Sequence, residues 1–154
     1  MNRIVFFLLM LLVCQFSVGQ VVKKTVVAKE VQPITYKSSW GPIHSGNALI
    51  AQINAIAPAS IMVKDNSGVL YSVLSFRINY MFKGSYRDDE TQEVKIVNDL
   101  RVGDFYDTAQ LPTVWVESIQ QNIKSGDVIL FSKIMFRNKA GKLQLAPELK
   151  IIAE

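Results

Sequence analysis

Leu74-Ser75-Phe76-Arg77-Ile78-Asn79-Tyr80-Met81-Phe82 places an apolar side chain at every even position and Ser, Arg, Asn and Met at the odd ones. Successive side chains of a strand point to opposite faces, so this period of two predicts a strand with one face on a core and one toward water. Phe76 and Ile78 are the residues most expected inside. Gly84 is expected to end or bend the strand. Downstream, residues 128–136 (VILFSKIMF) read as a central strand, because their first half is apolar on both faces. Residues 138–141 (NKAG) read as a hairpin-like turn with Gly141 in the left-handed position. Residues 143–145 and 149–152 then make a closing strand, interrupted at Pro147. Upstream, residues 60–64 (SIMVK) read as a short strand, and residues 65–68 (DNSG) as a reverse turn.

The remaining stretches fill the gaps. Residues 47–56 (NALIAQINAI) fit a helical spacing and an alternation equally well. Residues 87–107 are polar and acidic, with a short strand expected over residues 93–97 and a turn around Gly103. From Pro112 the period changes. Val116, Ile119 and Ile123 lie on one side of a helix, Trp115 sits beside them, and Gly126 stands where the helix should end. Strands recur with turns between them and without a strand–helix–strand rhythm. The expectation is an all-β chain, an antiparallel β-sandwich with one short helix.

The N-terminus reads as an address. Arg3 precedes the unbroken apolar run of residues 4–13 (IVFFLLMLLV), and Ser17 and Gly19 put small residues before Gln20. That order is a secretory signal peptide over residues 1–19. A membrane-spanning helix needs about 20 apolar residues, more than this run supplies. Lipidation at Cys14 would want a small residue where Val13 stands. Residues 20–43 read as an N-terminal strand (residues 21–27, VVKKTVV) and a linker over residues 38–42 (SSWGP). Residues 44–154 read as the compact domain. No membrane span is expected after cleavage, and the exported domain would be held by packing alone.

Composition excludes more than it assigns. The 154 residues suit one domain, and 49% hydrophobic against 19% charged residues can build a core. One Cys and one His rule out an internal disulfide and a Cys/His zinc site within one chain. The net charge of +4 is spread along the chain, so nucleic acid is not an expected partner. His44, the sole histidine, reads as a loop residue without a positioned catalytic partner. Asp88, Asp89, Glu90, Glu93, Asp99, Asp104 and Asp107 concentrate acid in one segment, but with Arg87, Lys95 and Arg101 interleaved and without Ca²⁺-loop spacing. Asp99, Asp104 and Asp107 would serve a carboxylate- or metal-dependent hydrolase only by converging in a pocket. Trp40 and Tyr106 would serve a carbohydrate- or peptide-binding platform only if exposed together.

From Ser45 onward, the order of several motifs resembles the C-terminal domain of the gliding-motility protein family GldM, also called PorM. The matching residues are Ser45-Gly46, Tyr71-Ser72-Val73-Leu74-Ser75-Phe76-Arg77-Ile78, residues 123–134 (IKSGDVILFSKI), residues 138–143 (NKAGKL) and Leu149-Lys150-Ile151-Ile152. The resemblance implies an immunoglobulin-like sandwich that binds protein and catalyses nothing. It suggests a link to type IX secretion or gliding in Bacteroidota. The chain lacks the family's long periplasmic stem, so it is not expected to be the motor subunit. The expectation is a non-enzymatic exported interaction module, periplasmic, with secreted or outer-membrane-associated locations as alternatives. No catalytic, cofactor or metal residues are assigned. The expected partner is a cell-envelope protein, with a homodimer through a sheet edge as a further option. The candidate interaction residues are Trp40, Asp99, Asp104, Tyr106 and Asp107.

Overall fold

In the computed structural model the chain is described over residues 33–154. The signal peptide expected over residues 1–19, Cys14 and the strand expected over residues 21–27 lie outside the described residues. The described part is mostly β. Its strands are β1 (Tyr36–Trp40), β2 (Gly46–Ala48), β3 (Ile61–Asp65), β4 (Leu70–Arg87), β5 (Val94–Tyr106), β6 (Val128–Arg137), β7 (Leu143–Leu145) and β8 (Leu149–Ala153). The helices are α1 (Ile50–Ile56) and α2 (Thr113–Asn122). The expected single helix is therefore one of two among the described residues. Residues 47–56 satisfy both of their patterns in turn, with β2 giving way to α1. At the start of α1 the Leu49 N–H donates to Gln52 Oε1 at 3.2 Å, which occupies a donor that a helix start leaves without a partner.

The strands form one sheet in the order β1-β3-β4-β6-β8-β2, with β5 beside β4 and β7 beside β6. All neighbours are antiparallel except β2 and β8, which run parallel, so the sheet is mixed rather than antiparallel throughout. β4 is its spine. Along one edge it pairs first with β3, through Leu70–Ser72, and then with β5, through Ser75–Arg87. Along the other it pairs with β6.

The alternation that predicts β4 holds only beyond residue 75. Phe76, Ile78 and Tyr80 are buried at even positions, whereas Tyr71 and Val73 are buried at odd ones. The change of phase coincides with register shifts between β4 and β6. β6 changes phase as well, from Ile129 and Phe131 to Ile134 and Phe136, across Lys133 at φ +50°. Extra residues in a ladder bend and twist both strands. The sheet curls there until β1 lies across the core from β6. Trp40 meets Phe131 with ring centroids 5.0 Å apart, and Tyr36 meets Phe136 at 4.8 Å, both edge to face.

This packing changes the reading of residues 38–42. Tyr36, Ser38 and Trp40 alternate inward on β1, which pairs along its length with β3. The strand belongs to the compact unit Pro33–Glu154 rather than to a linker ahead of it. Gly41, at φ +54°, and Pro42 form the turn that follows. The serines and the Gly-Pro pair conceal this strand in the sequence, because its inward face holds one buried hydroxyl between two rings. That hydroxyl is satisfied, since Ser38 Oγ donates to the Pro147 carbonyl at 2.5 Å.

Candidate protein-docking face

β5 is longer than the short strand expected over residues 93–97. It runs unbroken through Gly103, where a turn was expected. A Cβ built on Gly103 would lie 2.8 Å from Trp115 Cζ2 and 3.0 Å from the Phe105 ring. The glycine is needed for close approach of α2 to the strand, not for a turn. Phe105 and Trp115 meet edge to face at 5.8 Å, and the Arg101 guanidinium lies over the Trp115 ring and donates to Ser118 Oγ. Trp115 thus packs the helix onto the sheet, as its place beside the apolar stripe predicts. Gly84 likewise sits within β4, which continues to Arg87.

The inward face of β5 therefore rests on α2, and its other face joins the outward face of the sheet. Register places Leu100 beside Met81, Met81 beside Val128, and Val128 beside Ile152. The row crosses four strands, β5-β4-β6-β8. Its side chains range from half-buried Val128 and Ile152 to Leu100 at 54% exposure. The next row is Val102, Asn79, Leu130 and Lys150. Beyond these rows the β4–β5 hairpin projects with Ile96 (73% exposed) and Val94 toward its tip. A cavity of about 370 Å³ opens beside the first row, lined in part by Met81, Phe82, Leu100 and Val128.

The candidate residues fall in different places. Trp40 is 0% exposed, and its Nε1 donates to the Ala59 carbonyl at 3.0 Å, so it is a core residue and offers no docking surface. Tyr106 is 73% exposed at the end of β5, so the two rings cannot form one exposed platform. Asp99 and Asp104 point to opposite faces of β5 and are separated by five residues, about 16 Å along a strand. Asp104 accepts two hydrogen bonds from Arg77, each 2.7 Å, and this guanidinium holds its carboxyl below the usual range. Asp107 follows the strand at φ +54°. The three carboxylates do not converge. Among the described residues no cluster of three or more His, Cys, Asp or Glu side chains is placed to hold a metal ion. His44 is exposed, with Nδ1 3.4 Å from the Ser38 carbonyl oxygen.

Two further carboxylates serve the fold. Buried Asp127 accepts from Tyr80 Oη (3.0 Å), the Lys124 N–H (2.9 Å) and the Lys83 N–H (3.4 Å). It locks the loop after α2 onto β4. Buried Asp65 accepts from the Ser67 hydroxyl, the Ser67 and Val69 N–H groups and Tyr71 Oη, all within 2.9 Å. This set, with the Ser67 hydroxyl foremost, outweighs burial and holds the Asp65 carboxyl well below the usual range. The outward row escaped sequence reasoning, although its one signal is present. Leu100, Met81, Val128 and Ile152 are apolar at positions that strand alternation assigns to water, and only the register brings them together.

No protein-family model matches the chain, and a search of curated proteins returns no match. Among the described residues no helix is long and apolar enough to cross a membrane.

Proposed function

We propose that the chain is an exported, non-enzymatic protein-interaction module of the cell envelope, working in the periplasm. Its curled sheet is an immunoglobulin-like sandwich in this proposal, supported by the way β1 faces β6 across one core. The observation that carries the docking role is the apolar row Leu100-Met81-Val128-Ile152 on the outward face of the sheet. Strand positions that face water ordinarily carry polar side chains, and contiguous exposed apolar surface marks places where another protein binds. The signal-peptide pattern of residues 1–19 supports export. A place beside type IX secretion or gliding machinery belongs to the same proposal and rests on the ordered motifs between Ser45 and Ile152.

The partner that suits this face is an envelope protein presenting an apolar surface to the sheet. Capture of envelope proteins by the tagged chain, compared with the Met81→Lys variant, tests the reading. Met81 lies on the face but not on the edge strand, and it is 37% exposed. One or more envelope proteins should be recovered with the native chain and reduced at least tenfold with Met81→Lys. Recovery of the same proteins in equal amounts with both chains would overturn the docking face.

A further inference from the structure

β5 has the properties that a free edge strand normally avoids. It spans 13 residues, pairs among the described residues only with β4, and leaves Val94, Ile96, Val97, Leu100 and Val102 exposed. The other outer strands are blunted. β2 and β7 have three residues each, and β1 carries Lys37. A long apolar edge with unpaired backbone groups is a template for another strand. The Leu100 N–H meets the carboxylate of its own neighbour, Asp99 Oδ1, at 2.8 Å, a local substitute for such a partner.

We propose that β5 pairs antiparallel with β5 of a second copy, about a two-fold axis through Leu100, so that the sheet runs continuously through a homodimer. Strand overlap and charge together select the register: centring on Val97 would also oppose Lys95 and Asp99 but would pair only Val94–Leu100, whereas centring on Leu100 pairs the whole of Val94–Tyr106. A two-fold that extends the sheet in its own plane keeps each side chain on its face, so it must pass through a residue rather than between residues. Through Leu100 it sets Asp99 opposite Arg101 of the second copy and Arg101 opposite Asp99, two favourable cross-strand pairs. It also sets Val94 opposite Tyr106. Centring on Asp99 or on Arg101 puts that charge against itself. Centring on Asn98 puts Lys95 against Arg101, and centring on Val102 leaves every charge without an opposite. Directly opposed like charges destabilise a strand pair.

The same axis places Leu100 beside its own copy. The outward rows of the two copies then join into one strip of eight side chains, about 34 Å across eight strands. The inference goes beyond the docking reading and does not depend on it, because it rests on the edge of the sheet and not on its face.

Light scattering and cysteine cross-linking test it on the chain expressed with its own N-terminus. The native chain should be a dimer at about 10 µM. Asp99→Arg should weaken the dimer at least tenfold, and Asp99→Arg with Arg101→Asp should restore it to within threefold. Arg101 also touches Ser118 and Trp115 in its own chain, so the cross-linking arm decides the matter if the double variant is unstable. In a Cys14→Ser background, Leu100→Cys should form a disulfide dimer on mild oxidation, since opposed strand residues lie within disulfide reach. Ile96→Cys should not, because its copy would lie about 26 Å away. A monomer at about 100 µM would overturn the proposal, as would equal cross-linking of the two cysteine variants. A β5 edge that takes its strand from a different protein gives the monomer outcome.

Discussion

Gly103 and Trp115 depend on each other so closely that a single methyl group separates a packed helix from a displaced one. The Cβ of Gly103→Ala would sit 2.8 Å from the indole and 3.0 Å from the Phe105 ring, so at least one of these packed groups must shift to admit it. The expected cost is about 1–3 kcal/mol, the usual penalty for overpacking, read as a lower denaturation midpoint with unchanged slope. Asp65 sets a different dependence. Its carboxyl is depressed in the folded chain, chiefly by the Ser67 hydroxyl, so the unfolded chain takes up its proton first. The stabilisation is complete above about pH 4 and is lost as the pH falls below that value. Tyr71 works from the alkaline side. Burial and its bond to Asp65 push its hydroxyl up to about 12, so its contribution is lost as the pH rises beyond about 10 toward that value. Denaturation midpoints measured from pH 7 to pH 3 should fall for the native chain and flatten for Asp65→Asn. Equal slopes would remove Asp65 from the account.

At the level of elements the decisive feature is the pair of irregularities in β4 and β6, because without them the sheet would not curl over its core. Lys133 takes φ +50° there, a conformation that costs a side chain with a Cβ about 1 kcal/mol and glycine little. Lys133→Gly is therefore expected to leave stability within about 0.5 kcal/mol or to raise it, although the same change elsewhere in a strand would lower it. Thermal or urea unfolding of the single variant checks the sign. These irregularities also mark where the sequence stops being readable. The alternation from Phe76 to Tyr80 states the inward face plainly. Leu74 extends the same pattern on paper yet stands half-buried just beyond the shift, because register between strands is a property of the pair and leaves no local trace. The turn at residues 138–141, the helix behind Pro112 and the closing strand are legible for the opposite reason. Each is specified by its own residues, with Gly141 at φ +76° and Ile119 fully buried on the helical stripe. β5 was legible only in part, since Gly103 and its acidic neighbours carry the composition of a loop and are held straight by a tryptophan that arrives later in the chain.

At the scale of the molecule the aromatic residues of the described part divide into those that make the core and those left nearer the surface, and the candidate site divides with them. Trp40 was open to either reading from sequence because it stands next to Gly-Pro. Its contact with Phe131 exists only once the sheet has curled. Of the five candidate residues, Tyr106 and the β5 carboxylates do lie on or beside the exposed strand, while the apolar row that gives the face its character is assembled from four separate segments. Two variants separate the core from the face. Trp40→Ala removes a fully buried ring and should destabilise the chain by about 3–5 kcal/mol. Met81→Lys replaces a side chain on the solvent side of β4 and should change stability by less than about 1 kcal/mol, since surface substitutions have small effects. If the docking reading holds, the ranking reverses for binding. Partner recovery per folded molecule should survive Trp40→Phe, which keeps a ring in the core, and fall at least tenfold for Met81→Lys. Loss of binding in Trp40→Phe with none in Met81→Lys would place recognition on the β1 side of the molecule and away from the outward row.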